Sequence, residues 1–272
     1  MGKKRTLWSE RKIMRLVKAG RGRGEGKDYI PWTITTDFSS RGNSSRIKGW
    51  KTGRIHHTFS NLELGFLYQL EWHDSVIDIR EQFPLDRRKT IEIASLQGIR
   101  HPIYPTTKVP VVMTSDFLFI VEENGIEKIV VRTVKQNKDL KKLRTLEKLE
   151  LERKYWENRG INWGIVTEDQ IPKNVAFNIG LFHPFRNLTD HPEELRMISK
   201  YRKLVLTRFD IAERNHKLRD ISKKMDLEWN LSNGSVMKIV KHLIATKKLS
   251  INMEEKFSPG KTLNELKLIS LE

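Results

Sequence analysis

A chain of 272 residues, 38% of them hydrophobic, carries enough apolar material for packed cores and is long enough for one large or two modest domains. Its net charge of +17 and pI near 9.9 suit a polyanionic partner, above all nucleic acid. The charged N-terminus is unlike a secretory signal, no apolar run approaches the ~18 residues of a membrane span, and the absence of cysteine excludes disulfides and thiolate metal sites and favours the cytoplasm.

In chain order, residues 7–18 read as a short helix with Leu7, Ile13 and Leu16/Val17 facing inward. Residues 1–54 hold 15 Lys/Arg against 4 Asp/Glu. Within them the glycine–arginine segment KAGRGRGEGKDY reads as a flexible basic arm, with Arg21, Arg23 and Lys27 placed to follow phosphates. Residues 29–50 read as an irregular lobe. Phe59–His73 is predicted to be a helix, because Ser60-Asn61-Leu62-Glu63 is a capping box and Leu62, Phe66, Leu67 and Leu70 form an apolar stripe. Residues 75–80, 90–94 and 114–121 read as strands. Asn124-Gly125 is a hairpin turn, Lys128–Lys135 the returning strand, and Asn162–Thr167 another. Between them, residues 139–158 form a charged helix with Leu140, Leu143, Leu146, Leu149/Glu150 and Tyr155/Trp156 on its inner side.

Beyond a boundary near Glu168–Lys173 the pattern turns helical. Helices are expected over 191–206, 208–216, 218–225 and 235–246, followed by a strand-like 248–253. Helix, turn, helix and short wing describe a winged helix-turn-helix. Ser235–Thr246 would be its recognition helix, with Lys238, Lys241 and His242 toward phosphate or a partner protein. The chain thus divides into an α/β domain with a mixed sheet over residues 1–170 and a winged-helix domain over 171–272.

A metal-dependent nuclease needs carboxylates converging on a cation, with a lysine nearby to orient or deprotonate water or to stabilise the phosphate. Asp116 lies on the first hairpin strand, and Thr133-Val134-Lys135 ends the second. Thr133 and Lys135 share a strand face, which the hairpin can set beside Asp116. Val134 points the other way, although its carbonyl is a possible ligand. Glu63 borders the apolar stripe of its helix, an unusual place for a carboxylate without a partner. Singly, each residue has a commoner use: Glu63 as the closing member of the capping box, Asp116 as a strand-end acid, Lys135 as a surface lysine. Spacing alone does not establish a nuclease.

The segments GKDYIPW (26–32), KTGRIHH (51–57), LEWHDSVIDIREQFPL (70–85), TSDF (114–117) and RTLEKLELERKYW (144–156) resemble TnsA, the endonuclease subunit of heteromeric cut-and-paste transposases. The resemblance implies a restriction-endonuclease-like fold for the first domain. It also implies Mg²⁺-dependent cleavage of double-stranded DNA at the 5′ ends of a transposon, with Mn²⁺ able to substitute. The partners would be a transposase, TnsB, and an ATP-using regulator, TnsC. Glu63, Asp116 and Lys135 match the family's catalytic acid, acid and lysine; Glu63, Asp116, Thr133 and the Val134 carbonyl would form the metal shell. Two residues before the lysine the restriction pattern places an acid and TnsA a glutamine, whereas this chain has Thr133, which brings no charge.

His56 and His57 match no zinc pattern, and packing is their commoner role. Arg80, Glu81 and Gln82, on a strand near the site, either contact DNA or hold the fold. The competing reading is a non-catalytic DNA-binding regulator, which would have no need of the acid–acid–lysine set. An RNA-processing nuclease is disfavoured by the lack of stacking motifs on the strands.

Overall fold

The computed structural model describes residues 8–37, 43–188 and 190–271. They belong to two compact units that divide between Ile171 and Pro172.

In the first unit, helix α1 (Glu10–Lys18) starts at Ser9, whose hydroxyl accepts the Lys12 N–H at 3.3 Å. Ile13 and Leu16 face inward and pack with Trp32. Val17 is exposed, and Leu7 lies outside the described residues. The glycine–arginine segment is folded, contrary to the expectation of a flexible arm. Gly22 N–H donates to Ile30 O at 2.6 Å and Ile30 N–H to Arg23 O at 3.0 Å. The turn depends on glycine: Gly22 has φ +76°, and a Cβ there would stand 2.1 Å from Pro84 Cγ.

Strands β1 (Ser45–Lys48) and β2 (Ile55–Thr58) pair antiparallel and lead into helix α2 (Asn61–Trp72). Strand β3 (Val76–Pro84) follows. The predicted strand at 90–94 is instead part of helix α3 (Arg87–Leu96). Alternation in Thr-Ile-Glu-Ile-Ala was misleading. The Asp86 carboxylate accepts the N–H groups of Arg88 and Lys89, and the buried residues are Thr90, Ile93 and Ala94, a helical spacing. Strand β4 (Thr114–Glu123) turns at Asn124-Gly125, both at positive φ, into strand β5 (Ile126–Val134). Helix α4 (Leu143–Glu157) then leads to strand β6 (Asn162–Val166).

The central sheet has the order β3-β4-β5-β6, with the first two pairings antiparallel and the last parallel. Alternation along β4 serves both faces. Phe117 and Phe119 meet Phe66 of α2 edge-on, with ring centroids 5.5 and 6.3 Å apart. Leu118, with Val131 of β5, packs among Ile93 and Ala94 of α3 and Leu151, Tyr155 and Trp156 of α4. The inner side of α4 therefore runs through Leu149, Leu151, Glu152, Tyr155 and Trp156; the expected inner residues Leu143 and Leu146 are exposed, and Leu140 precedes the helix.

One buried ionic cluster ties the β1–β2 hairpin to β3. Arg54 forks onto Glu81 at 2.8 and 2.6 Å and donates to the carbonyls of Ile79 and Gly26, while His56 Nδ1 lies 2.7 Å from Glu81. Burial would raise the Glu81 carboxyl, but His56 and Arg54 outweigh it and hold the group at about 2.

The second unit contains α5 (Lys173–Phe182), which the sequence pattern did not suggest, and α6 (Pro192–Ile211), one helix where two were expected. No proline or glycine interrupts α6, and its buried residues Ile198, Val205, Leu206 and Phe209 keep one helical phase. Helices α7 (Leu218–Glu228) and α8 (Ser235–Ala245) follow, and the Asp226 carboxylate accepts the Gly234 and Val236 N–H groups at the start of α8. Strands β7 (Leu249–Ser250) and β8 (Ile269–Ser270) close the unit as a two-residue ladder.

Replacing Glu81 with alanine strands buried Arg54 and His56, and is expected to cost about 3–5 kcal/mol in urea unfolding at neutral pH. Because the folded-state carboxyl is held low, its contribution is present above the ordinary carboxylate range and lost as the pH falls toward 2. A cost below about 1 kcal/mol would remove this cluster from the account of the fold.

Candidate active site

The site begins where two strands part. The β4–β5 ladder ends at Phe117 opposite Arg132, whereas β5 remains paired with β6 as far as Val134 opposite Val166. A buried backbone donor needs an acceptor. Val134 N–H finds one in Asp116 Oδ2 at 2.8 Å, and Lys135 Nζ reaches the same oxygen at 2.8 Å and the Val134 carbonyl at 2.9 Å. Asp116 Oδ1 accepts no hydrogen bond among the described residues. Burial alone would lower the Lys135 ammonium, but the charge and hydrogen bond of Asp116, helped by Glu152 and Glu63, hold it above the usual lysine value.

Glu63 comes from the first turn of α2. Its carboxylate accepts the Phe59 N–H at 2.9 Å and the Ser60 hydroxyl at 3.0 Å, while Glu63 N–H donates to Ser60 Oγ at 3.1 Å. It thus closes the helix start, as the capping pattern predicts, and also faces Asp116. Burial first, and the Asp116 charge second, push its carboxyl up to about 7. Glu63 and Asp116 border the same cleft, of about 320 Å³.

Thr133 is placed differently from the expectation. Its hydroxyl donates to Glu152 of α4 rather than turning to Asp116. The same Glu152 oxygen accepts Ser115 Oγ at 2.6 Å and Trp163 Nε1 at 3.1 Å, and Trp156 Nε1 donates to Ser115 at 2.8 Å. Burial, then the Asp116 charge, raise the Glu152 carboxyl to about 7 against these hydrogen bonds. Sequence reasoning missed Glu152. Its signal was the one used for Glu63, an acid inside an apolar stripe, three residues from Leu149 and from Tyr155. An error of helical phase hid it.

The other predicted residues are dispersed. Arg21 is committed to the carbonyls of Pro31 and Trp32 and to Asp37. Arg23 and Lys27 are exposed. In the second unit Lys238 pairs with Glu194 at 2.6 Å, Lys241 lies over the Phe185 ring, and His242 Nδ1 meets Phe185 O at 2.7 Å. Val236, Ile239, Val240, Leu243 and Ile244 bury one face of α8 in its unit, while Lys238 is exposed on another and Lys241 and His242 are half-buried.

Among the described residues no three His, Asp or Glu side chains form a ready metal cage. Two facing carboxylates with one raised carboxyl nonetheless fit a hard divalent cation, which relieves their repulsion. Mg²⁺ in particular is commonly held by one or two carboxylates, with water and phosphate completing its shell.

Residues 73–168 match the family described as TnsA-like endonuclease N terminal, and residues 170–253 match TnsA endonuclease C terminal. The chain is 37% identical over 261 residues to the Transposon Tn7 transposition protein TnsA of Escherichia coli, covering 96% of this chain and 93% of that protein.

A carboxyl raised by folding contributes stability below its unfolded value, and that contribution is lost as the pH rises through the folded value. For Glu152 the window runs from 4.5 to about 7. Glu152→Gln, which imitates the protonated form, should match the parent chain near pH ~5 and exceed it by about 2 kcal/mol near pH ~8 in urea unfolding. An equal difference at both pH values would contradict a buried titrating acid.

Proposed function

The chain belongs to the TnsA endonuclease family, and from this premise we propose that it cuts DNA at the 5′ ends of a transposon, with Mg²⁺ held by Glu63 and Asp116. The observation that carries the reading is the meeting of Glu63 of α2 and Asp116 of β4 at one cleft, with Lys135 paired to Asp116 from the end of β5.

Asp116 Oδ1 and the unused lone pairs of Glu63 would hold the cation, with the Val134 carbonyl as a third ligand; Mn²⁺ would serve in place of Mg²⁺. When bound, the cation lowers the pKa of water and offsets charge growing on the phosphate. The protein groups do the positioning. Lys135, fixed by Asp116 and Val134, holds the attacking water or a phosphoryl oxygen. Glu152 keeps Thr133 and Ser115 in place behind Asp116. In-line attack by water then leaves a 5′-phosphate and a 3′-hydroxyl.

We assign the 3′-end chemistry to a partner transposase of the TnsB kind and the licensing of cleavage to an ATP-using regulator of the TnsC kind, all in the bacterial cytoplasm. The α7–turn–α8 pair with the β7–β8 ladder supports a winged-helix reading of the second unit. Lys238 is paired with Glu194, and Lys241 and His242 are held against Phe185, which favours partner docking over base reading for that unit.

Asp116→Ala should abolish Mg²⁺-dependent strand cleavage, assayed with the partner transposase present, while leaving the fold and DNA binding in place. Lys135→Ala should slow cleavage by about 10²–10³-fold, as loss of one preorganised charge does. Full cleavage by Asp116→Ala would sink the assignment.

A further inference from the structure

The cleft beside Glu63 and Asp116 has walls of a different chemistry from its acids. Trp8, Trp32, Phe59, Tyr104 and Val112 line it, and among the described residues no lysine or arginine does. Such walls are not a track for phosphates, which positively charged side chains follow. Trp8 and Tyr104 are stacked with centroids 5.1 Å apart, and Trp32 is 6.5 Å from Trp8. Trp32 Nε1 is a buried donor with no hydrogen-bond partner among the described residues.

Gln82 adds polar contacts. It lies on β3 between the pairs Glu81–Phe117 and Phe83–Ser115, and so stands opposite Asp116. Its φ is +50°, a sparsely populated conformation for a residue other than glycine, of the kind retained at functional sites. The residue is only 8% exposed. Its Oε1 accepts the hydroxyls of Thr33 at 3.1 Å and Thr114 at 3.4 Å, which leaves the amide N–H groups without an acceptor among the described residues.

We propose that this cleft receives one nucleobase turned out of the duplex beside the cut phosphate, with its ring against the aromatic wall and its edge hydrogen-bonded by the Gln82 amide. This rests on the nuclease reading, which places a phosphate at Glu63 and Asp116 and therefore places the attached nucleoside at the mouth of the cleft. The volume of about 320 Å³ lies at the small end of ligand pockets and admits one nucleoside, not a duplex. Aromatic walls with a few fixed hydrogen-bonding groups are how enzymes hold a base taken from the stack. Two amide donors select a base edge that presents acceptors.

The test is equilibrium binding by the full chain in EDTA, so that no cleavage occurs. Two short duplexes are compared, identical except that one carries a single unpaired thymidine and the other an abasic residue at that position. The thymidine duplex should bind about 5- to 100-fold more tightly, the range for one base against aromatic side chains. Tyr104→Leu and Gln82→Asn, the latter retaining a residue tolerant of positive φ, should each reduce that ratio while leaving the abasic duplex bound as before. Equal binding of the two duplexes by the parent chain would overturn the proposal, whatever the variants do. Variants that weaken both duplexes equally would also overturn it. The nuclease reading fails separately, through cleavage by Asp116→Ala, so the two outcomes are distinguishable.

Discussion

Where β4 and β5 separate, the Val134 N–H loses its place in a ladder, and the Asp116 carboxylate becomes its acceptor. Leaving such a donor unpaired inside the protein would cost about 1–3 kcal/mol. The acid is therefore fixed by a structural requirement before any substrate arrives. The rest of the site depends on that placement. Lys135 follows Val134 directly and closes onto the same oxygen. Glu63 is carried in on α2, which is seated by the contacts of Phe66 with Phe117 and Phe119 on β4, the strand that bears Asp116. Three groups from separate elements are thus held to one frame.

The Arg54–Glu81–His56 cluster sets the other approach. It clamps β2 against β3, and β2 runs directly into the Phe59–Ser60 start of α2. Phe59 N–H and Ser60 Oγ both bond the Glu63 carboxylate. The residues of the ionic core do not line the cleft, yet they fix the loop from which Glu63 emerges. The folded glycine–arginine segment joins the same frame through Gly26 O and Arg54.

Local signals in the sequence were legible where one mechanism dominates. Ser60 and Glu63 announce a helix start because capping is a short-range hydrogen-bond pattern, and Asn124-Gly125 announces a hairpin because both residues tolerate positive φ. The Asp116–Lys135 pairing followed from that hairpin. Tertiary context decided the remainder. Residues 90–94 alternate like a strand, but the Asp86 cap and a helical face toward α4 prevail. The phase of α4 was misread because Leu143 and Leu146 are apolar yet exposed, and with it Glu152 was lost. The basic arm read as flexible because glycine favours both disorder and tight turns, and only the contact of Gly22 with Pro84 separates the two.

Glu63 serves two employers. Its carboxylate offers about four lone-pair sites, and two already secure the opening turn of α2. The ion proposed for this site would have only the remainder, unless the helix surrendered part of its cap. Affinity for such an ion and integrity of the helix end would then not be independently adjustable in this fold. A substitution that improved one would draw on the other, so loose binding of free cation, and firm retention only once a phosphate supplied further oxygens, would be the natural operating regime of such an acid.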